Sequence, residues 1–213
     1  MRCFLLLLSA SLFAQDAIQP TKTIRLFNGK TLDGWYTWGR ENGYNDVKKV
    51  FTVVDGAIRI SGEEWGGVAT KQAYKNYHLI VEWKWGTKVW PPREKNTRDS
   101  GILVHAVGED GQYNKTWLES LESQIIEGGT GDLISVGGKN KPRITALVRE
   151  EANNQNVWDK NGKPKTIDRG RINWWGRDPA WKDTIGFRGP KDLDKPVGQW
   201  NRQEVIADGD KLT

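Results

Sequence analysis

The chain has 213 residues, with 32 basic and 27 acidic side chains and a net charge of +5. The net charge is small and the charged residues are scattered, and the longest run of basic residues is the pair Lys48-Lys49. The sequence therefore has no cluster of basic residues that would bind nucleic acid. Tryptophan is enriched, with 12 residues. Each indole offers a large apolar face and one N–H donor, which suit either core packing or stacking on a ligand ring.

The first 14 residues, MRCFLLLLSASLFA, contain Arg2, an apolar run too short to span a bilayer, and small residues. This pattern predicts a signal peptide cleaved after Ala14, and therefore an exported protein, periplasmic or extracellular, with no membrane span after cleavage. Cleavage would remove Arg2 and Cys3, the only cysteine. We expect a mature chain of net charge about +4 without disulfides.

Two segments show strand periodicity most clearly. Residues 51–62, FTVVDGAIRISG, contain two apolar runs separated by Asp55-Gly56, which predicts a hairpin with a tight turn. Residues 77–86, YHLIVEWKWG, alternate with period two, which predicts a strand with one core face and one solvated face. Glu82 and Lys84 lie on the solvated face. The core face carries Leu79, Val81, Trp83 and Trp85.

Further strands are predicted in GILVHAV, ESQIIEG, DLISVGG, RITALVRE and RQEVIADGDKL, most of them bounded by Gly, Asp or Asn. No segment has a convincing helical period over 11 residues. The sequence therefore predicts an all-β fold, an antiparallel sandwich or jelly roll with one concave face, that occupies residues 15–213 as a single domain.

Three segments depart from this pattern. Residues 91–98 form a polar loop, and residues 151–197 read as a long insertion without regular structure, which we expect to pack over one end of the sandwich through Trp174, Trp175 and Trp181. Residues 199–213 predict a strand, a turn and the opening of a return strand. Because an unpaired edge is normally covered, we expect either that the chain lacks the last strands of its sheet or that those strands come from elsewhere.

Two strand-like runs carry the polar residues of greatest interest, DSGILVH (99–105) and ESQIIEGGTGD (122–132). Strict alternation places His105 on the face of Gly101, and places Glu122 and Gln124 on a common face. We expect His105, Glu122 and Gln124 to converge on one concave surface, with Lys84 within reach. Imidazole titrates near neutral pH, and burial among carboxylates would raise the pKa of Glu122 into the range of an acid or base.

Five separated motifs occur in order over residues 24–213: LFNGKTLDGWYTW, YHLIVEWKWG, DSGILVH, ESQIIEGGTGD and KPVGQWNRQEVIADGDKLT. Together they resemble the bacterial 3-keto-disaccharide hydrolase family, long known as domain of unknown function 1080. The resemblance implies a concanavalin A-like jelly roll, usually exported, that acts on glycosides oxidised at C3 by an upstream sugar 3-oxidase. In that family the closing motif continues into further strands, which are absent here.

The implied chemistry begins with an acidic C2–H beside the C3 ketone. A base removes this proton, the C1 substituent is expelled, and water adds to the unsaturated product. Such a site needs a base, donors for the enolate oxygen and an acid for the leaving group. We predict His105 and Glu122 as catalytic residues. The predicted substrate-binding residues are Glu82, Lys84, Ser100, Gln124, Glu127, Asp132, Trp65 and Trp117.

Three alternatives remain open at this stage. A carbohydrate-binding module without chemistry would use Trp65 and Trp117 as stacking platforms. A conventional glycoside hydrolase would need two carboxylates about 5–9.5 Å apart, which Glu122 with Glu82 or Glu127 would supply. A divalent metal held by His105 with Glu122 or Glu127 would act as the electrophile for the enolate oxygen.

Overall fold

The computed structural model describes residues 16–151 and 154–213, which form 14 β-strands and no α-helix. The predicted signal peptide lies outside this part of the chain. Within it, no helix has the length and apolarity needed to cross a membrane. The strands are β1 (Trp35–Gly39), β2 (Phe51–Val54), β3 (Ala57–Ile60), β4 (Gly66–Thr70), β5 (Tyr77–Trp83), β6 (Asp99–Val107), β7 (Glu119–Ile126), β8 (Leu133–Val136), β9 (Ile144–Glu151), β10 (Gln155–Trp158), β11 (Lys163–Ile167), β12 (Gly170–Ile172), β13 (Asn201–Asp208) and β14 (Lys211–Leu212).

The two sheets that define the architecture lie face to face. The front sheet has the strand order β12-β8-β7-β6 and the back sheet β14-β13-β5, and every pair is antiparallel. Their inner faces meet where Gln203 Nε2 on β13 donates a hydrogen bond of 2.6 Å to Ser123 Oγ on β7. The predicted all-β antiparallel sandwich is confirmed. Buried side chains on these inner faces include Val104, Ile125, Val205 and Ala207.

Smaller antiparallel sheets complete the fold: β1 with β4, β2 with β3, and a three-stranded sheet of order β10-β9-β11. The β2–β3 hairpin has the predicted turn, with φ of 51° at Asp55 and 75° at Gly56. These positive values are those of a type I′ turn, which matches the twist of the strands that it connects.

The predicted alternation along β5 is confirmed. Tyr77, Leu79, Val81 and Trp83 are half-buried, whereas the residues between them are exposed. Val81 pairs directly with Gln203, so this half-buried face is the one that meets the front sheet. Glu82 and Lys84 project from the opposite, solvated face, where the Lys84 ammonium lies 4.8 Å from the centroid of a Trp200 ring.

The prediction that residues 151–197 lack regular structure is wrong for 155–172, which contain β10, β11 and β12. Two lysines and one proline in KPKTI hide the strand pattern of β11 in the sequence. The strand accommodates them because it lies at the edge of its sheet, next to β9, where polar side chains reach water. Of the three tryptophans expected to pack, Trp174 and Trp181 are half-buried, whereas Trp175 is 55% exposed.

Candidate active site

The candidate site lies on the outer face of the front sheet, which points away from the back sheet. Directly paired residues of antiparallel strands project to the same face. Four such partners lie in a row across β6, β7, β8 and β12: Leu103, Glu122, Ile134 and Arg171. The pair Gly101 and Gln124 lies next to this row on the same face of β6 and β7.

A glycine makes room for the Glu122 side chain. A Cβ atom at position 101 would lie 1.8 Å from Glu122 Oε1 and 2.7 Å from its Cδ. The carboxyl group of Glu122 therefore lies across the backbone of β6, where any larger residue would displace it.

Glu122 has the electrostatics of an acid or base that works near neutral pH. Burial, and then the nearby Asp99 carboxylate, raise its pKa from the ordinary 4.5 to about 7, although Arg171 opposes the shift. Within residues 16–151 and 154–213, no group donates a hydrogen bond to this carboxyl. Its oxygens are thus available to a substrate.

Asp99 is the second carboxyl group on this face. Its Oδ1 accepts a hydrogen bond of 3.3 Å from Gln124 Nε2, and its Oδ2 lies 3.8 Å from Arg93 Nη2. Burial raises the pKa of Asp99, although Arg93 and Arg171 favour its charged form. Two carboxyl groups with raised pKa values therefore share one surface with two guanidinium groups.

Asp132 organises the side of the site next to β12. Its carboxylate is fully buried and accepts hydrogen bonds from Arg171 Nη1 at 2.8 Å, from the backbone N–H of Trp174 at 2.9 Å, and from Arg177 Nη1. A buried carboxylate with several donors is held rigidly. Asp132 thereby fixes Arg171 beside Glu122.

An aromatic pair lies on the Arg93 side of the site. The rings of Trp65 and Trp117 pack edge to face with centroids 5.8 Å apart, and both residues are half-buried. The Arg93 guanidinium carbon is 5.8 Å from the Trp65 ring centroid. Since Arg93 also approaches Asp99, it connects the indoles with the carboxyl groups.

Residues 22–213 match the family described as the 3-keto-alpha-glucoside-1,2-lyase-like domain. The chain belongs to this family. The resemblance seen in the sequence motifs is thereby confirmed, and membership of this family supports a carbohydrate-active function.

Among curated proteins, no match to the chain was found. Among solved structures, the chain resembles a candidate glycosyl hydrolase from Parabacteroides distasonis with 21% identity and a TM-score of 0.46. The similarity covers 88% of this chain and 64% of that one, so the lyase-like domain spans less than two thirds of that protein's length.

The expected convergence of His105 with Glu122 in the lyase-like domain is wrong. A register shift interrupts β6 between Val104 and Val107, and His105 has a φ of 52°. The bulge turns its exposed imidazole onto Tyr77, with ring centroids 5.9 Å apart and nearly parallel planes. Tyr77 lies on the inner face of β5, so His105 and Glu122 point to opposite faces of the front sheet.

Several other predicted site residues lie away from Glu122. Glu82 and Lys84 are on the outer face of the back sheet, so Lys84 is not within reach of the site. Ser100 pairs with Ile125 and therefore points to the face opposite Glu122. The alternation of Glu82 and Lys84 was read correctly, but the sequence does not show to which side of the sandwich their sheet belongs. For Ser100, the alternation along β6 already places its side chain on the face opposite Gly101.

Glu127 is buried and its carboxylate is fully used within the protein. Arg98 donates to it through Nη1 at 2.7 Å and through its backbone N–H at 2.9 Å, and the N–H of Gly186 donates at 3.0 Å. Glu127 was predicted to bind substrate, but in the structure its carboxylate holds Arg98 and the backbone of Gly186. The predicted metal sets, His105 with Glu122 or Glu127, are not brought together. Nor does any cluster of three His, Cys, Asp or Glu side chains in the described part of the chain suit a metal ion.

The structure brings together five predicted residues, Glu122, Gln124, Asp132, Trp65 and Trp117, and adds three that sequence reasoning missed. Asp99, which shares the alternation of Gly101 along β6, was detectable from that parity. Arg93 and Arg171 come from segments read as polar loop and insertion, where no periodic pattern predicts direction.

Proposed function

We propose that the lyase-like domain cleaves 3-keto-glycosides, with Glu122 as the base that removes the C2 proton. The observation that carries the proposal is the Glu122 carboxyl itself. It has a pKa of about 7, has no hydrogen-bond donor in the described chain, and lies beside Arg171. A general base needs such a pKa and a free lone pair.

The reaction proceeds in two stages. Glu122 takes the C2 proton, the electron pair is delocalised into the C3 ketone as an enolate, and the C1–O bond then breaks with formation of the C1–C2 double bond. The leaving oxygen receives a proton. Water next adds to the double bond, with its oxygen on C1 and a proton on C2, so that the sum is hydrolysis.

The neighbours of Glu122 supply the other functions. Arg171, held by Asp132, offers further N–H donors for the negative charge that develops on the substrate oxygen. Asp99, whose pKa is also raised by burial, is the second group able to carry a proton. The Trp65 and Trp117 indoles provide apolar faces on which a sugar ring stacks.

The proposal includes an origin for the substrate. A C3 ketone arises by oxidation of the C3 hydroxyl, so a sugar 3-oxidase would act upstream. We propose that both reactions take place outside the cytoplasm, in keeping with the signal peptide predicted for residues 1–14.

A conventional glycoside hydrolase is the second candidate. The observation in its favour is that two carboxyl groups, Asp99 and Glu122, share one face, and that the Asp99 carboxylate helps to raise the pKa of Glu122. The pairs first considered, Glu122 with Glu82 or Glu127, are not assembled. The two mechanisms differ in their need for the ketone, because without it the C2–H is too weakly acidic for a carboxylate to remove.

The test compares p-nitrophenyl glucoside with its 3-keto derivative. We expect release of p-nitrophenol from the 3-keto glucoside alone, and a fall in kcat of about 100-fold or more for Glu122→Gln. Glu82→Gln is the matched control, since it removes a carboxylate from the outer face of the back sheet and should leave kcat unchanged. Rapid turnover of the unoxidised glucoside would favour the second candidate. Binding without any turnover would favour a carbohydrate-binding module.

A further inference from the structure

A cleft of about 360 Å³ opens beside the Glu122 row. Its lining includes Arg171, Arg177, Asn156 and the Trp181 indole. Arg171 belongs to both places, because it lies in the Glu122 row and also lines the cleft. A molecule bound at Glu122 would therefore extend into this cleft past the Arg171 side chain.

The charge and hydrogen-bonding capacity of the cleft favour an anion. Among the described residues that line it, two carry guanidinium groups and none is acidic. Both donate to the buried carboxylate of Asp132, each through Nη1 only. The remaining guanidinium N–H groups are donors of the kind that recognise carboxylates and sulfates.

The cleft also offers partners for neutral hydroxyl groups. Apart from the arginines and Trp181, its lining consists of amide side chains. The Oδ1 atom of Asn156 is buried and receives no hydrogen bond in the described chain, although an acceptor of this kind normally has a donor. The Trp181 ring is stacked under the Arg177 guanidinium at 4.3 Å, which holds that group in place.

We propose that this cleft is a binding subsite for an anionic sugar, a ring that carries a carboxylate or sulfate and is attached to the ring that reacts at Glu122. The position next to Glu122 rests on the proposed function, whereas the preference for an anion rests on the cleft alone. Amides bind the hydroxyl groups, and the free guanidinium edges bind the charged group.

The test measures binding directly and does not depend on turnover. Glucose, glucuronate and glucose 6-sulfate are titrated calorimetrically at equal sodium concentration. We expect glucuronate or the sulfate to bind at least about tenfold more tightly than glucose, the scale of one charge-assisted hydrogen bond. The tighter of the two identifies the charged group. Equal affinity for glucose and both anions would overturn the proposal.

Two matched variants locate the binding. Asn154→Asp places a carboxylate at the exposed rim of the cleft in a residue with a φ of 58°, which aspartate tolerates. Asn161→Asp makes the same charge change at the exposed turn beyond the other end of β10. The anion preference should fall severalfold in the first variant and persist in the second. Equal effects of both would overturn the proposal.

The subsite proposal and the proposed elimination mechanism can be refuted independently of each other. If the anion preference is found and lost in Asn154→Asp, but no 3-keto-glycoside is turned over, the subsite stands and the elimination mechanism falls. If turnover depends on Glu122 but all three sugars bind equally, the mechanism stands and the subsite falls.

Discussion

At the scale of single residues, Gly101 determines where the Glu122 carboxyl can lie. A Cβ atom at position 101 would overlap Glu122 Oε1, so Gly101→Ala should displace the carboxyl and lower kcat by about tenfold or more. The matched control is Gly67→Ala, where nothing lies within 4 Å of the new Cβ. Steady-state kinetics and thermal unfolding of both variants check this. Unchanged kcat in Gly101→Ala would show that the carboxyl's position is immaterial.

The raised pKa of Glu122 predicts the acid limb of the pH profile. A base must be deprotonated, and burial beside Asp99 raises the pKa of Glu122 to about 7. We expect kcat/KM for a 3-keto-glycoside to rise about tenfold per pH unit below pH 7 and to level off above it. A plateau that extends down to pH 5 would exclude Glu122 as the base.

His105 makes a contrasting prediction. Its imidazole lies against Tyr77, away from Glu122, so His105→Ala should change kcat by less than about threefold, whereas loss of a general base costs about 100-fold. The measurement is the same p-nitrophenol assay. A loss comparable to that of Glu122→Gln would mean that the bulge in β6 rearranges when substrate binds.

At the scale of elements, alternation predicted strand positions well but not the direction of every side chain. The hairpin at Asp55-Gly56 and the faces of β5 follow from local composition and period two. His105 was misplaced because a bulge inserts a residue and reverses the alternation after it. The sequence DSGILVH does not predict that bulge, because a residue other than glycine seldom adopts a positive φ.

The site itself was partly predictable for a related reason. Residues of one strand or one hairpin, such as Glu122 and Gln124, keep a fixed relation that the sequence reveals. Arg171 reaches Glu122 only because β12 pairs with β8, and Trp65 meets Trp117 from a distant segment. Such long-range pairings depend on the topology of the whole sheet, which single-sequence periodicity does not encode.

Glu127 anchors the segment that includes Gly186 to the front sheet. Its side chain is 6% exposed and that of its partner Arg98 is 13% exposed. Glu127→Gln should therefore cost about 2–3 kcal/mol, because it leaves a buried guanidinium without its counter-charge. Urea unfolding measures the loss, and faster hydrogen exchange at the Gly186 amide would locate it. The control is Glu150→Gln, whose ion pair with Lys165 is exposed and should matter little.

At the scale of the whole molecule, carboxyl groups shifted in opposite directions determine how stability depends on pH. Burial raises the pKa of Glu122 to about 7 and that of Asp194 to about 6. For Glu64, burial opposes ionisation, but hydrogen bonds from the backbone of Glu41 and from Asn42 outweigh it and lower the pKa. Glu122 and Asp194 therefore favour the folded state when they are protonated, whereas Glu64 favours the folded state when it is charged.

The sign of each contribution follows from proton linkage. Glu122 has an ordinary pKa of 4.5 in the unfolded chain, so between about pH 4.5 and 7 the unfolded state loses its proton first and stability falls as pH rises. Carboxylates with lowered pKa values, such as Glu64, lose their contribution below about pH 4.5. The free energy of unfolding should therefore be greatest near pH 4.5–5 and decline toward pH 8.

Glu122→Gln isolates the contribution of Glu122 to this pH dependence. Glutamine cannot ionise, so the variant should be more stable than the wild type at pH 8 by about 1–2 kcal/mol after allowance for partial solvent exposure, and nearly equal to it at pH 4.5. Urea unfolding at both pH values measures the difference, and Glu82→Gln should follow the wild type throughout. A variant that gains stability while it loses turnover would show that the fold holds an ionisable carboxyl at a thermodynamic cost. Equal loss of stability at both pH values would instead mean that Glu122 contributes packing rather than a strained charge.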